Sequence, residues 1–278
     1  MTGRLGVCGA GLVNADGRGW GRLAGTGPGA QAGTSSALRV CRVPPERLAD
    51  PLALKKLRRA DRFSKMAALS AWDAAADAGW SPVDGETGMG IIVTTAFGPH
   101  GSTFEFLDEV LDFGDEGVSP TRFSHSVHNA AAAYIAIMLG SRGPACTLAD
   151  FKRPLQAGLA LAQLWLREGR CRRILMTYTE ESSGPMEYIA DMRRAPGGGG
   201  FVQPFNLSME PLAVLSEGSV CLLLARPEEG RVVLDPARFE GDHPVRDVAA
   251  LYAHLAELPG SGRNRALRPT GGSDMAAE

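Results

Sequence analysis

The chain has 278 residues, enough to bury a sizeable core as one large domain or two small ones. Its formal net charge of −2 implies no strong attraction to nucleic acid or to a membrane surface. The start carries no signal-peptide pattern, and no run of about 18 apolar residues predicts a membrane span. We therefore expect a cytoplasmic protein that acts on or with other proteins or small molecules.

The cysteine pattern argues against metal and disulfide sites. The five cysteines are scattered, and most lie in apolar runs: Cys8, Cys41, Cys146, Cys171 and Cys221. No CxxC pair or His–Cys cluster is present, so we expect free, mostly buried thiols in a reducing compartment. We expect neither a metal nor a cofactor.

The first predicted element is a core strand over residues 5–13, which carry glycines at Gly6, Gly9 and Gly11. A glycine-rich start is also typical of dinucleotide sites, but more glycines follow here without an ordered helix. A strand that tolerates close neighbours is the better interpretation. Residues 26–36 are rich in Gly, Ser, Thr and Ala and predict a loop.

Residues 57–65 are predicted to lead into a helix that runs to about Ala78 and is closed by Gly79. One apolar stripe steps along it by three or four residues: Phe63, Met66, Ala67, Ala71, Ala74 and Ala78. The arginines at its start (Arg58, Arg59 and Arg62) are most simply a solvated face. A buried strand over residues 88–96 follows, and this order favours a mainly parallel sheet.

A second amphipathic helix is predicted over residues 102–113. Phe104, Leu107 and Leu111 share one face of it, and the ordinary interpretation of such a stripe is core packing. His125 and His128 follow. Their spacing suggests a metal, but no third ligand accompanies them, so a structural role at a helix start is favoured.

A sharp turn between a strand and a helix is the most informative stretch. Gly143-Pro144 breaks the preceding segment, residues 146–149 suit a buried strand, and residues 155–168 predict a helix that ends at Gly169. Residues 150–154 then form a turn over a helix N-terminus, where backbone N–H groups favour a negative charge. Such a turn suits a nucleophile and an oxyanion site, yet it contains no Ser or Cys.

The rest of the chain predicts fewer features. A core strand is expected at residues 173–180 and a short strand at 231–234. Residues 193–204 contain four consecutive glycines and predict a loop; no Gly-Lys-Ser/Thr follows that would make it a phosphate site. Residues 245–258 predict a modest amphipathic helix, and residues 260–278 a disordered tail.

The turn resembles the nucleophile elbow of β-ketoacyl synthases, in the thiolase-like superfamily. There a Gly-Pro pair starts a strand that ends in Thr-Ala-Cys before an apolar helix. Counted from Gly143 without gaps, Asp150, Phe151 and Lys152 fall where Thr, Ala and Cys stand. Lys152 therefore replaces the reactive Cys, and Cys146 lies six residues earlier, inside the strand.

The resemblance covers about residues 5–224, which is only the first half of a synthase. It includes an Arg-x-x-Asp-Arg segment ending at Arg62 and the Glu of a Gly-Gly-x-Glu strand, Glu180. Only His243 and His254 follow the elbow, and neither has the family's His context. The resemblance implies an α/β, thiolase-like fold, with a domain over residues 1–225 and a short, partly disordered extension over 226–278.

The chain also resembles the chain-length-factor branch of the family. Its Phe-Glu-Phe run starts a helix at the dimer interface whose apolar face closes the acyl tunnel, and Phe104-Glu105-Phe106 matches that run. The implied tunnel residues are Phe104, Leu107 and Leu111. A Ser-Val-His-Asn-Ala run near the interface is matched at residues 126–130, and adds Phe123, His128 and Asn129.

The resemblance implies a non-catalytic, chain-length-factor-like subunit of a type II polyketide or fatty-acid-like synthase. Its expected partners are a catalytic β-ketoacyl synthase, or a second copy, and an acyl carrier protein whose anionic surface the arginines at 58–62 would complement. Apolar surface left by the missing half would be exposed. One alternative is a diverged acyltransferase or thioesterase-like enzyme that uses Lys152 or, less plausibly, Cys146. Another is a scaffold that binds the carrier protein.

Overall fold

The computed structural model describes residues 3–15, 17–18, 39–49, 55–80, 88–192, 214–239 and 251. Its strands are β1 (Leu5–Asn14), β2 (Arg39–Cys41), β3 (Gly90–Thr95), β4 (Ala145–Ala149), β5 (Ile174–Glu180), β6 (Val214–Ser216), β7 (Gly218–Ala225) and β8 (Val232–Leu234). Its helices are α1 (Arg62–Asp77), α2 (His100–Phe113), α3 (Pro120–Ser126), α4 (Ala130–Leu139), α5 (Pro154–Arg167) and α6 (Gly184–Met192).

Six strands form one mixed sheet in the order β4-β3-β5-β7-β1-β8. β3 pairs in parallel with β4 and β5, whereas β7 runs antiparallel to β5 and β1. β2 and β6 form a separate parallel pair. The central strands β3, β5 and β7 are buried along their whole length, as expected for strands with helices on both faces.

Two apolar clusters lie on opposite faces of the sheet. α1 and α4 pack over one face, around residues such as Phe63, Met66 and Ile135. α5 packs over the other, with Leu155, Leu159 and Trp165. The helix ends follow the predictions, since Gly79 and Gly169 adopt positive φ angles of 72° and 69° just after α1 and α5.

The glycines of β1 have a packing role. A side-chain carbon on Gly11 would collide with the Ser70 carbonyl of α1, and one on Gly9 with the Ala74 carbonyl. Small residues at these positions allow α1 to lie directly on β1. The interpretation as a core strand that tolerates close neighbours is confirmed.

Two expectations about burial are wrong. β4 was expected to be buried, but it is the edge strand of the sheet, and its residues are half-buried or exposed. α2 forms where predicted, but it does not pack into the core: only His100 is buried among its residues. Its apolar stripe faces outward, because the helix packs mainly on α3 rather than on the sheet.

The prediction that the arginines at the start of α1 are solvated fails at one position. Arg58 and Arg59 are exposed. Arg62 instead pairs with Glu217, whose side chain is fully buried at the start of β7, and also donates to the Val43 carbonyl. Glu217 in turn accepts the backbone N–H groups of Val43, at 2.7 Å, and Ser182, at 3.1 Å.

The structure describes only some of the segments predicted near the C-terminus. The short strand at 231–234 is present as β8, which pairs antiparallel with β1. The division of the chain at residue 225 stays a prediction. The predicted loops at 26–36 and 193–204 and the tail at 260–278 lie outside the described residues, as does the helix at 245–258 apart from Leu251.

Over the described ranges, none of the helices combines the length and apolar character that a membrane crossing requires. In the same ranges no three His, Cys, Asp or Glu side chains gather as metal ligands would. Cys171 and Cys221 are buried, and Cys8 and Cys146 are half-buried.

Candidate functional site

The carboxyl ends of the parallel strands β3, β4 and β5 meet at one edge of the sheet, the usual place for a site in such sheets. Three segments follow these ends: residues 96–99, residues 150–153 and residues 181–183. The rings of Phe97 and Phe151 lie 5.6 Å apart, and Phe97 lies 6.4 Å from the ring of His100, the first residue of α2. The elbow turn and α2 therefore belong to one region.

The elbow turn is present as predicted, but two of its backbone N–H groups already donate to a side chain within the turn. The Asp150 side chain accepts the backbone N–H groups of Lys152, at 2.8 Å, and Arg153, at 3.0 Å. These hydrogen bonds hold the pKa of Asp150 below its ordinary value. A fixed carboxylate thus occupies the N–H groups that an oxyanion would need, and it would repel a second negative charge.

Neither candidate nucleophile lies in an activating environment. Lys152 is exposed beside this turn. Cys146 is half-buried in edge strand β4, and its thiol lies 3.8 Å from the Thr147 carbonyl. Covalent catalysis needs a nucleophile with a general base beside it. In the part of the chain that the structure describes, neither the Lys152 nor the Cys146 side chain has a hydrogen bond to a basic group.

Glu180, the family glutamate at the end of β5, holds the loop after β3. It accepts hydrogen bonds from the backbone N–H groups of Ala96 and, at 3.3 Å, Phe97, and from the Thr95 hydroxyl at 3.1 Å. Complete burial raises the pKa of Glu180 to about 7 despite these donors. Its role here is to position residues 96–98.

A second buried glutamate lies at the start of α2, and sequence reasoning did not identify it. Glu181 accepts the Gly101 N–H at 2.6 Å, and its carboxylate lies 4.0 Å from His100 Nδ1. Burial raises the pKa of Glu181 to about 8 and lowers the pKa of His100. The sequence feature that could have identified Glu181 is a second glutamate directly after a buried strand that ends in Glu180. This position places Glu181 at the edge of the sheet.

The predicted tunnel residues are exposed together on α2. Phe104 is 42% exposed, Leu107 45% and Leu111 82%. Phe123 of α3 is 56% exposed, and its ring lies 5.6 Å from that of Phe106, on a different side of α2. We call the three side chains Phe104, Leu107 and Leu111 the α2 surface.

The two remaining interface predictions lie close to the same region. His128 and Asn129 are exposed between α3 and α4. The His128 ring packs so closely on Gly98, which has a φ of 69°, that a side chain there would collide with it. His125 lies instead 3.3 Å from the Tyr134 hydroxyl. The two histidines thus have separate surroundings, in agreement with a structural role.

Solved structures with the same fold include ketosynthases and their complexes. The ishigamide ketosynthase/chain length factor aligns with a TM-score of 0.62 at 21% identity, over 84% of this chain and 64% of that one. The ketosynthase ApeO in complex with its chain length factor ApeC from Xenorhabdus doucetiae gives 0.54 at 17% identity, over 81% and 79%. This chain thus spans less than two thirds of the length of the ishigamide protein.

A third similar structure is the type II acyl carrier protein–ketosynthase complex AntDE:AntF, bound to the hexaketide. It aligns with a TM-score of 0.62 at 15% identity, over 82% of this chain and 64% of that one. These likenesses confirm the predicted α/β, thiolase-like fold. The curated protein sequences include no significant match.

The sequence itself identifies the family. Residues 45–198, more than half of the chain, match the model of the β-ketoacyl synthase N-terminal domain. The matched range contains α1, the elbow turn, the α2 surface and the Glu180 strand end. The chain therefore belongs to the β-ketoacyl synthase N-terminal domain family.

Proposed function

We propose that the chain is a non-catalytic, chain-length-factor-like partner of a β-ketoacyl synthase in type II polyketide or fatty-acid-like biosynthesis. In this role the α2 surface lies at the subunit interface and shapes the tunnel that holds the growing acyl chain. The observation that carries the proposal is an open apolar helix face next to an elbow turn without a nucleophile.

The residues of the elbow turn support the proposal that the chain has no independent activity. Claisen condensation needs an activated nucleophile and donors for the developing negative charge. Lys152 stands at the nucleophile position, and Asp150 accepts the N–H groups of the turn at 2.8 and 3.0 Å. Both requirements are therefore missing from this turn.

The α2 surface supports a protein partner. Contiguous apolar patches on a protein surface usually mark interaction sites. Leu111 is 82% exposed and Leu107 45%, which is an unfavourable state for large apolar side chains unless another chain covers them. Among the similar structures, ApeO is in complex with a chain length factor, and a catalytic synthase is the corresponding partner proposed for this chain.

The carrier protein is a second proposed partner. Acyl carrier proteins present anionic surfaces, and the AntDE:AntF structure is such a carrier in complex with its ketosynthase. In this chain Arg58 and Arg59 are exposed and available for complementary charge. Arg62 is not, because it pairs with buried Glu217.

The test is co-expression of the chain with candidate synthases, followed by size measurement of the purified complex and analysis of its products. In an active complex, Phe104→Ala should lengthen or scramble the products, because it removes a ring from the tunnel wall. Phe113→Ala is the matched control: it is an equally large, 68% exposed side chain on the same helix, about 180° around from Phe104.

Three outcomes separate the alternatives. Unchanged products from Phe104→Ala in an intact complex would remove the tunnel role and favour a carrier-binding scaffold. Turnover by the purified chain alone with malonyl- and acyl-loaded carriers would contradict the proposal. If Lys152→Ala then abolished that turnover with the fold intact, the enzyme alternative would be correct.

A further inference from the structure

The segment after β7 returns to the core on the α5 side of the sheet. β8 pairs with β1, with Leu234 opposite Leu5 and Val232 opposite Val7. A short 3₁₀ helix follows over Pro236–Phe239. Leu234 and Leu251 are 0% exposed and Phe239 is 1% exposed, so three apolar anchors of this segment are fully buried.

These anchors are part of the apolar cluster that α5 covers. Leu234, Phe239 and Leu251 belong to the same buried cluster as Leu155 and Leu159 of α5. The segment is also held to α5 by a hydrogen bond from the Gln156 side-chain amide to the Phe239 carbonyl. At its other end, the Arg231 N–H donates to the Val7 carbonyl at 2.9 Å.

Most of the exposed large apolar side chains lie elsewhere, apart from Val233 in the segment itself and Phe151 in the elbow turn. Among the described residues, no large apolar side chain of α5 is exposed, whereas such side chains occur on α2, α3, α4 and α6. The side chains of the α2 surface are open, while Leu234, Phe239 and Leu251 of the same chain are buried in the cluster that α5 covers.

We propose that the segment formed by Val232–Leu234, Pro236–Phe239 and Leu251 is an intramolecular cover. It closes the α5 side of the core to other chains and leaves the α2 surface as the docking face. The inference rests on the proposed function only for the identity of the partner that docks there. The cover itself is tested without any partner.

The test is Phe239→Asp in the full chain, with Val233→Asp as the matched control in the same segment. Phe239 is 1% exposed and Val233 is 41% exposed, so only the first substitution places a charge inside the cluster. We expect Phe239→Asp to increase binding of a hydrophobic dye several-fold and to produce larger species in light scattering. Val233→Asp should change neither. Equal behaviour of the two variants would overturn the cover.

Hydrogen exchange on the unmodified chain gives a second test that does not depend on how the variant folds. Peptides covering residues 231–234 should exchange on the slow timescale of peptides from β7, because β8 is paired with buried β1. Exchange of 231–234 within seconds, with β7 still protected, would contradict the proposal. Loss of synthase binding by Phe104→Ala would leave both results unchanged, so the two proposals fail separately.

Discussion

The helices α1 and α2 have similar apolar stripes and opposite environments. α1 buries ten of its 16 residues against the sheet, whereas α2 buries only His100 out of 14. Spacing by three or four residues predicts both stripes equally well. The difference teaches that an apolar stripe shows which face of a helix avoids water, but not whether its own chain or another one covers that face.

The N-termini of the two helices carry the same contrast. α1 begins at Arg62, whose guanidinium pairs with the fully buried carboxylate of Glu217 in the sheet. α2 begins beside Glu181, whose buried carboxyl group accepts the Gly101 N–H. Its basic neighbour is His100, whose Nδ1 lies 4.0 Å from the carboxylate. α1 is thus fastened to the core by a compensated charge, and α2 by a carboxyl group whose pKa is raised to about 8.

The largest expected effect is at the start of α1. Arg62→Leu should lower the free energy of unfolding by about 3–5 kcal/mol, because it leaves the Glu217 carboxylate buried without its cation. Urea unfolding measures this loss. Arg59→Leu is the control on an exposed neighbour and should change stability by less than about 0.5 kcal/mol. Similar values for both variants would show that the ion pair does not fasten α1.

Truncation of one leucine on each helix tests the contrast directly. Leu69→Ala in α1 removes a fully buried side chain and should cost about 2–5 kcal/mol in urea unfolding. Leu107→Ala in α2 removes a side chain that is 45% exposed and should cost less than about 1 kcal/mol in the isolated chain. With a synthase partner, Leu107→Ala should instead weaken association. A large loss from Leu107→Ala in the isolated chain would mean that α2 is covered internally.

The last prediction concerns Glu181, where the expected change in the free energy of unfolding over one pH unit is smaller than the losses given above for Arg62→Leu and Leu69→Ala. Burial raises the pKa of Glu181 from 4.5 to about 8, so between these pH values the folded state keeps a proton that the unfolded state has released. The free energy of unfolding should therefore fall as pH rises from 4.5 to 8, by at most about 1.4 kcal/mol per unit from this group.

Glu181→Gln should reduce the dependence of the free energy of unfolding on pH, because the glutamine side chain does not titrate. Its amide carbonyl can still accept the Gly101 N–H. Thermal unfolding at several pH values measures the difference between the two proteins. The charges facing Glu181 include Asp61, Glu217 and Arg62, and they are unchanged in the variant. Parallel curves for the two proteins would contradict a raised pKa for Glu181.

Local features of the site were predictable, and burial was not. The elbow turn and the replacement of the nucleophile by Lys152 follow from counting residues after Gly143-Pro144. The hydrogen bonds that Asp150 accepts from the backbone N–H groups of Lys152 and Arg153 also lie within four residues of sequence. In contrast, the Arg62–Glu217 pair joins residues 155 positions apart, and no spacing rule connects them.

The sequence alone determined the family and, within the matched range, the helices α1, α2 and α5 and the strands β3, β4 and β5. By resemblance it also places Lys152 at the position of the family's reactive cysteine, which stays a prediction. These depend on local pattern: apolar periods, glycine positions and a turn within a few residues. Only the tertiary structure decided which stripes are covered, which glutamates are buried with raised pKa values, and that residues beyond β7 close the α5 side. Those properties arise when distant segments exclude water from one another, and the energy of excluding water depends on neighbours that local sequence does not specify.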